Sequence, residues 1–405
     1  MRLIPPIPAL LAWVTTTAAF ATINAPALLQ QNNEHEMITR LAFQCPPGEK
    51  SDGICFEPRS LDQLAGYHVN ILGVAITGAG INGAVGAPDT LDPIPEGPAA
   101  HCDDADYLDI PDYPQTREQA TAKLQQCVDH LRRRFREAVA AAERILDDRH
   151  RVREDMVRLS SAFGGDCTFA FPGLQSDAYA RAKCSAIEGL GRALHGIQDF
   201  YAHSNWVDAH DSTQPISIAN PPGLGLNHTA PFFNMRSDPD TPIDPATVPH
   251  NLTTGCFALP DVSYGGMGPC QGRITHHDLS KDKGVIHLDG SFGPVGPDPR
   301  SRAARGNFAA AVAAAVLHSR EAWASFREEL REKYGKHRGD MMVCALVRDD
   351  PVRDCRGHAW DRGGSVGGTA EPSVQVAEHA VGIATEDELV GSVVLGQKVV
   401  IVGGD

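Results

Sequence analysis

Leu194-His195-Gly196-Ile197-Gln198-Asp199-Phe200-Tyr201-Ala202-His203-Ser204-Asn205-Trp206 decides how this chain is read. It places His, Asp and His at positions i, i+4 and i+8. At 3.6 residues per turn these fall within roughly 80° of arc, one stripe on one helix face. Imidazole and carboxylate groups so arranged converge on a cation without a long loop closure, as in helical bundles that build metal sites in their cores. The stretch therefore predicts a central helix from Asp177 to about Tyr201, with His195, Asp199 and His203 as metal ligands.

Helical spacing continues on both sides. Glu34 to Phe43 carries apolar residues at 37, 38, 41 and 42, a helical period. Leu61 to Ile76 reads as helical at first, and the glycine-rich run Gly78 to Gly86 as a loop with neither a P-loop lysine nor a dinucleotide fingerprint. Thr116 to Ser161 predicts one or two long helices, with Arg132, Arg133, Arg134 and Arg136 on a solvated face. Asn307 to Tyr334 reads as the last strong helix, its alanine-rich face suited to close packing. Residues 208–272 are rich in Pro, Gly, Asn and Asp, which signals a long, irregular insertion. The expected fold class is mainly α, a helical core with long disulfide-stapled loops.

Arg2 precedes an apolar run from Pro8 to Thr22 that ends in small residues, the pattern of a secretory signal over residues 1–25. No later stretch is apolar and long enough to span a bilayer, so the expected mature chain is secreted with no integral membrane segment. The ten cysteines fall in neighbouring pairs: 45 with 55, 102 with 127, 167 with 184, 256 with 270, 344 with 355. None has CxxC spacing, and an exported chain with such a set reads as a disulfide protein with short local loops. The net charge of −15 disfavours nucleic acid and anionic lipid as partners.

Candidate ligands lie in four separate places. His35 opens the first helix. Asp89 and His101 flank a loop, with Asp103, Asp104 and Asp106 nearby. The stripe supplies His195, Asp199 and His203; His276, His277 and His318 come from the C-terminal third. Taken singly, each also fits a plain role as a surface, turn or capping residue. Taken together, they match the way metal centres gather His and Asp from several elements, where closely spaced cations activate water.

The run from Ala193 to Trp206 resembles the hallmark of the Het-C family of heterokaryon-incompatibility proteins. Thr275-His276-His277-Asp278-Leu279-Ser280-Lys281-Asp282 and the helix with Asn307, Phe308 and Trp323 resemble the same group. His35 to Arg40 and Val85 to Asp89 resemble its secreted CinY-type members. The resemblance spans about residues 34–356; it implies a Het-C-like domain over 26–356 and leaves 357–405 as a Gly/Val-rich tail.

More distantly, the layout is similar to the zinc-dependent phospholipase C and P1 nuclease superfamily, which implies that superfamily's helical core. In that likeness His195 and Asp199 match a central His-x3-Asp, Asp89 and His101 an upstream Asp and His, and His35 and His318 an early and a late His. The chain departs from it in the missing N-terminal Trp ligand, the compact Asp199-to-His203 spacing, and Glu321 standing one residue early after His318.

The resemblance implies a secreted zinc-dependent phosphoesterase of phospholipase C type. Metal-activated water would attack a phospholipid or other phosphodiester, Asp89 or Asp199 would orient that water, and Tyr201 and Asn205 would line the substrate side, with Trp206 either beside them or, the reading favoured for it, in the core. The alternative is a non-catalytic, metal-stabilised secreted protein acting on membranes or partners in antagonism or cell death. A nuclease is the third reading.

Overall fold

The computed structural model describes residues 24–25, 31–66, 69–71, 74–76, 83–91, 97–159, 167, 169, 181–209, 211–257, 268–282, 284–293 and 306–356. The expected signal segment up to residue 23 and the tail after residue 356 lie outside them. The helices are α1 (Glu34–Phe43), α2 (Pro58–Ala65), α3 (Pro88–Leu91), α4 (Gly97–Ala100), α5 (Arg117–Glu143), α6 (Glu154–Val157), α7 (Ala182–Ala202), α8 (His276–Leu279), α9 (Asn307–Tyr334), α10 (Lys336–Val347) and α11 (Pro351–Asp354). Two short antiparallel ribbons complete the regular structure: β1 (Asn24–Ala25) with β2 (Gln31–Asn32), and β3 (Val69–Ile71) with β4 (Val74–Ile76). The chain is mainly α, as its sequence pattern indicates.

α7 is the centre of the fold. It packs against α5, α9 and α2 and against the turn Ala84–Gly86, and 19 of its 21 residues are buried. A helix enclosed on every side carries no solvated face. Its charged and polar residues must therefore find partners inside the protein, because an unpaired buried charge costs several kcal/mol. Two glycines let neighbours come close. A Cβ at Gly191 would stand 2.6 Å from the Ala84 carbonyl carbon, and one at Gly196 would stand 2.5 Å from Ala100 O. These contacts bring the Val85 turn and the end of α4 against the ligand stripe.

α5 begins at a capping box in which the Thr116 side chain accepts from Gln119 N and Gln119 closes back on Thr116 N. It stops at Glu143, short of the long helical reach expected up to Ser161. There the Asp147 side chain accepts from the backbone N–H groups of Arg149 and Arg151, a turn that competes with the helix. Arg133 is exposed as expected of a solvated face, whereas Arg132 and Arg136 do not sit on one. Arg132 is buried and donates to the carbonyls of Asn234 and Thr241, while Arg136 reaches Glu329 and Arg236 O. They anchor the irregular segment that follows α7.

α9 spans Asn307–Tyr334, the range its period indicates, with Ala311, Ala314 and Ala315 buried. α10 was not legible as a helix. Its run Asp340-Met341-Met342-Val343-Cys344-Ala345-Leu346-Val347 is buried throughout, so it shows no amphipathic period for a sequence pattern to report. All ten cysteines are paired, in the five neighbouring pairs expected. Among the described residues, no helix is long and apolar enough to cross a membrane.

Candidate metal centre

The C-terminal half of α7 delivers His195 and Asp199, one turn apart and fully buried. The His195 Nδ1 lies 2.8 Å from Val85 O. A carbonyl only accepts, so Nδ1 carries the proton and Nε2 turns its lone pair inward. That Nε2 stands 2.9 Å from Asp199 Oδ2 and 3.6 Å from Asp89 Oδ1. Asp89 comes from α3. From the residue after α4, His101 adds Nδ1 at 2.7 Å from Asp199 Oδ2, 2.9 Å from His195 Nε2 and 3.8 Å from Asp89 Oδ1. Asp89, His101 and His195 thus offer ligand atoms within 4.8 Å of one another, and Asp199 Oδ2 adjoins the two imidazole nitrogens. Their separations bracket the edge of about 3.3 Å that a tetrahedral ion with bonds near 2.0–2.1 Å requires.

His35, near the start of α1, approaches the other carboxylate oxygen, with Nε2 3.0 Å from Asp199 Oδ1. Its Nδ1 lies 2.8 Å from Gln198 Oε1. The Gln198 amide nitrogen points at Thr39 Oγ1 and Ser319 Oγ, and Ser319 spends its own proton on Ala315 O. The amide orientation is thereby fixed. His35 must donate from Nδ1 and present Nε2 to Asp199. Such outer partners set the tautomer of metal-binding imidazoles.

A second group adjoins the first. His203 caps α7, and its Nε2 is 3.1 Å from both oxygens of Asp282, which in turn accepts from Ser280 Oγ. Its Nδ1 is buried with no hydrogen-bond partner among the described residues and stands 3.9 Å from Asp199 Oδ1. The His276 ring stacks on His203 at 3.6 Å between centroids, and His276 Nδ1 is 2.9 Å from Asp103 Oδ1. Asp103, His203 and His276 each offer a ligand atom within 4.8 Å of the others.

The electrostatics follow from this crowding. Burial works against ionisation of Asp199, yet the neighbouring imidazoles of His195 and His35 and the hydrogen bond from His101 hold its carboxyl well below the usual range. Burial also opposes protonation of His101; the hydrogen bond and charge of Asp199, with Asp89 and Asp103, outweigh it and push this imidazole up to about 9. His35 is raised despite burial by Asp199. Burial lowers His195, and the neighbouring His35 charge adds to that while Asp199 resists. An ionised carboxylate among imidazoles needs positive charge close by, which protons or a metal cation can supply in competition.

The donor set suits a divalent cation. The carboxylate oxygens Asp89 Oδ1 and Asp199 Oδ1 are buried with no hydrogen-bond partner among the described residues. His101, 14% exposed, and Asp89 form the side nearest solvent.

Residues 115–230 match the family model described as the VWA7 N-terminal domain. No curated protein and no solved structure matches the chain. The matched segment carries α5, α7 and the candidate ligands His195, Asp199 and His203, and omits His35, Asp89, His101 and His276.

This family is unrelated to those suggested by the sequence motifs. The match therefore overturns the Het-C resemblance and the phospholipase C and P1 nuclease analogy. With them go the phosphoesterase reading and its phospholipid or phosphodiester substrate, the Het-C-type antagonist and the nuclease. The hydrolase assignment and the ground on which zinc was named fall too. The likeness had rested on short His/Asp spacings, which put residues on one helix face without common descent.

Of the eight residues singled out in the sequence as ligands, seven meet here. His35, Asp89, His101, His195 and Asp199 form the first group, and His203 and His276 belong to the second. His318 stands apart: its Nδ1 accepts from the Tyr201 hydroxyl at 2.7 Å. Tyr201 and Trp206 are core residues, and Asn205 braces the loop through Pro222 O, Asn251 O and Thr253 N. Sequence reasoning did not single out Asp103 or Asp282. Asp103 was one of three carboxylates in an acidic loop, and only its burial beside His276 sets it apart.

Proposed function

We propose that this chain is an exported metal-binding protein whose helical core closes around divalent cations held at and beside Asp199. The carrying observation is that Asp89 Oδ1, His101 Nδ1 and His195 Nε2 lie together, with Asp199 Oδ2 2.7 and 2.9 Å from the two imidazole nitrogens. In this reading Asp199 Oδ2 belongs to that four-donor pocket and Oδ1 faces His35. Asp103, His203 and His276 make a second pocket. Imidazole-rich donors favour a first-row transition cation over calcium or magnesium, which take oxygen shells. The cations join α1, α3, α7 and the loop after α4, so binding free energy is also folding free energy. Export is supported by five disulfides and no free cysteine, a pattern of oxidising compartments.

The test is elemental analysis of protein purified without chelator, alongside Asp199→Asn. Wild-type chain should carry at least one equivalent of transition metal, and the variant should lose most of it. A wild type that stays metal-free after incubation with zinc, manganese(II) and iron(II) would sink the proposal. Export is tested by locating the folded, disulfide-bonded chain after expression; a reduced cytoplasmic pool would refute it.

A further inference from the structure

We infer that the Cys102–Cys127 disulfide is a positioning element that couples the two pockets through the tripeptide His101-Cys102-Asp103. This rests on the metal-binding reading above. His101 faces the first pocket, 2.7 Å from Asp199, and Asp103 faces the second, 2.9 Å from His276. Between them Cys102 is buried and bonded to Cys127 of α5. The tripeptide is thus pinned at its middle residue while its ends serve different ions.

The backbone here is held in an unusual shape. Cys102 has φ +57° and Asp104 φ +66°, left-handed values that non-glycine residues adopt only when their surroundings over-determine them. Hydrogen bonds around the tripeptide supply that restraint. Asp103 N donates to Pro98 O and Asp104 N to Gly255 O, and Asp104 Oδ1 accepts from Phe257 N. The disulfide supplies the covalent restraint, to the helix that packs most extensively on α7.

α7 is the second rail, carrying Asp199 and His203 one turn apart. The first pocket takes His195 and Asp199 from α7 and His101 from the tripeptide, and the second takes His203, which caps α7, and Asp103 from the tripeptide. A cation in one pocket fixes the spacing of both rails, and the other pocket is then already organised. Binding at the two pockets is therefore positively coupled, and the coupling runs through Cys102.

The experiment is a cobalt(II) titration of the full chain, followed by visible absorption and calorimetry. Cys102→Ser/Cys127→Ser should weaken binding at both pockets by about tenfold or more. The control Cys344→Ser/Cys355→Ser, which opens the disulfide between α10 and α11, should lose thermal stability but keep wild-type affinity. His276→Gln removes a ligand of the second pocket without touching any disulfide. It should weaken the first pocket about fivefold or more, and it carries the test if the double serine variant does not fold.

Wild-type affinity in Cys102→Ser/Cys127→Ser, an equal loss in the control, or an untouched first pocket in His276→Gln would each overturn the coupling while leaving metal binding intact. A wild-type chain that takes up no cobalt would instead overturn the metal reading, and this inference with it.

Discussion

Gln198 Oε1 accepts the Nδ1 proton of His35 at 2.8 Å, and that bond decides which imidazole nitrogen faces Asp199. The two residues come from α7 and α1, so one hydrogen bond joins helix packing to ligand chemistry. Gln198→Ala should leave the helices in place and release the His35 ring. Loss of an outer partner typically lowers metal affinity 10–100-fold. Calorimetric titration of the metal-stripped protein reads this directly, and unchanged affinity would show that Gln198 does not set the ligand.

Gly196 lies where α7 meets the end of α4. An added Cβ would stand 2.5 Å from Ala100 O and 2.6 Å from Leu131 Cδ2, and His101 is the next residue after Ala100. Alanine favours helix over glycine by up to about 1 kcal/mol, whereas overpacking a close core contact costs about 1–3 kcal/mol. The second effect wins here because the nearest obstacle is backbone. Gly196→Ala should lower stability in urea unfolding and displace His101, weakening metal uptake. A variant more stable than wild type would contradict this packing account.

The site was legible in the sequence where one helix carries it, and obscure where loops do. His195, Asp199 and His203 share a face because helical spacing places them there, and burial of α7 makes their side chains seek partners. Asp89, His101 and His276 were visible only as ligand types in loops. His318 had the same chemistry on a good helix, yet that helix turns it towards Tyr201 and Phe233. Asp282 gave no local signal, because its contact with His203 spans 79 residues. The helical core was readable from period, except α10, whose burial on all faces removes the period. The family was misread because short His/Asp motifs report the spacing of residues on one helix face and not descent.

Lys281 and Asp208 form a fully buried ion pair, Nζ to Oδ1 at 3.0 Å. Lys281 Nζ also donates to Ser204 O and Leu279 O, which ties the residue after His203 to the segment that presents Asp282. Lys281→Met leaves the Asp208 carboxylate buried without this cation. Removing one partner of a buried pair costs about 3–5 kcal/mol. Lys281→Met/Asp208→Leu should cost less than the sum of the two single variants, since neither charge is then stranded. Urea unfolding of the four proteins in this cycle gives the answer, and additive losses would mean that the pair is not coupled.

His318 makes the fold sensitive to acid through a group remote from the ligands. Burial is the chief cause that pushes its imidazole down to about 3, against a hydrogen bond with the Phe233 backbone. In the unfolded chain it titrates near its ordinary value of about 6.5. Between those values the unfolded chain binds a proton that the native chain does not, so stability falls as pH drops. The contribution is complete above about pH 6.5 and is lost progressively towards pH 3, at no more than about 1.4 kcal/mol per pH unit. His318→Gln keeps a polar side chain without the titration. Urea unfolding of both proteins at pH 7.5 and pH 5 should show the wild type's advantage shrinking by about 2 kcal/mol at the lower pH. Ligand protonation affects both proteins alike and cancels in the difference. An advantage independent of pH would show that His318 does not titrate between folded and unfolded states as its burial requires.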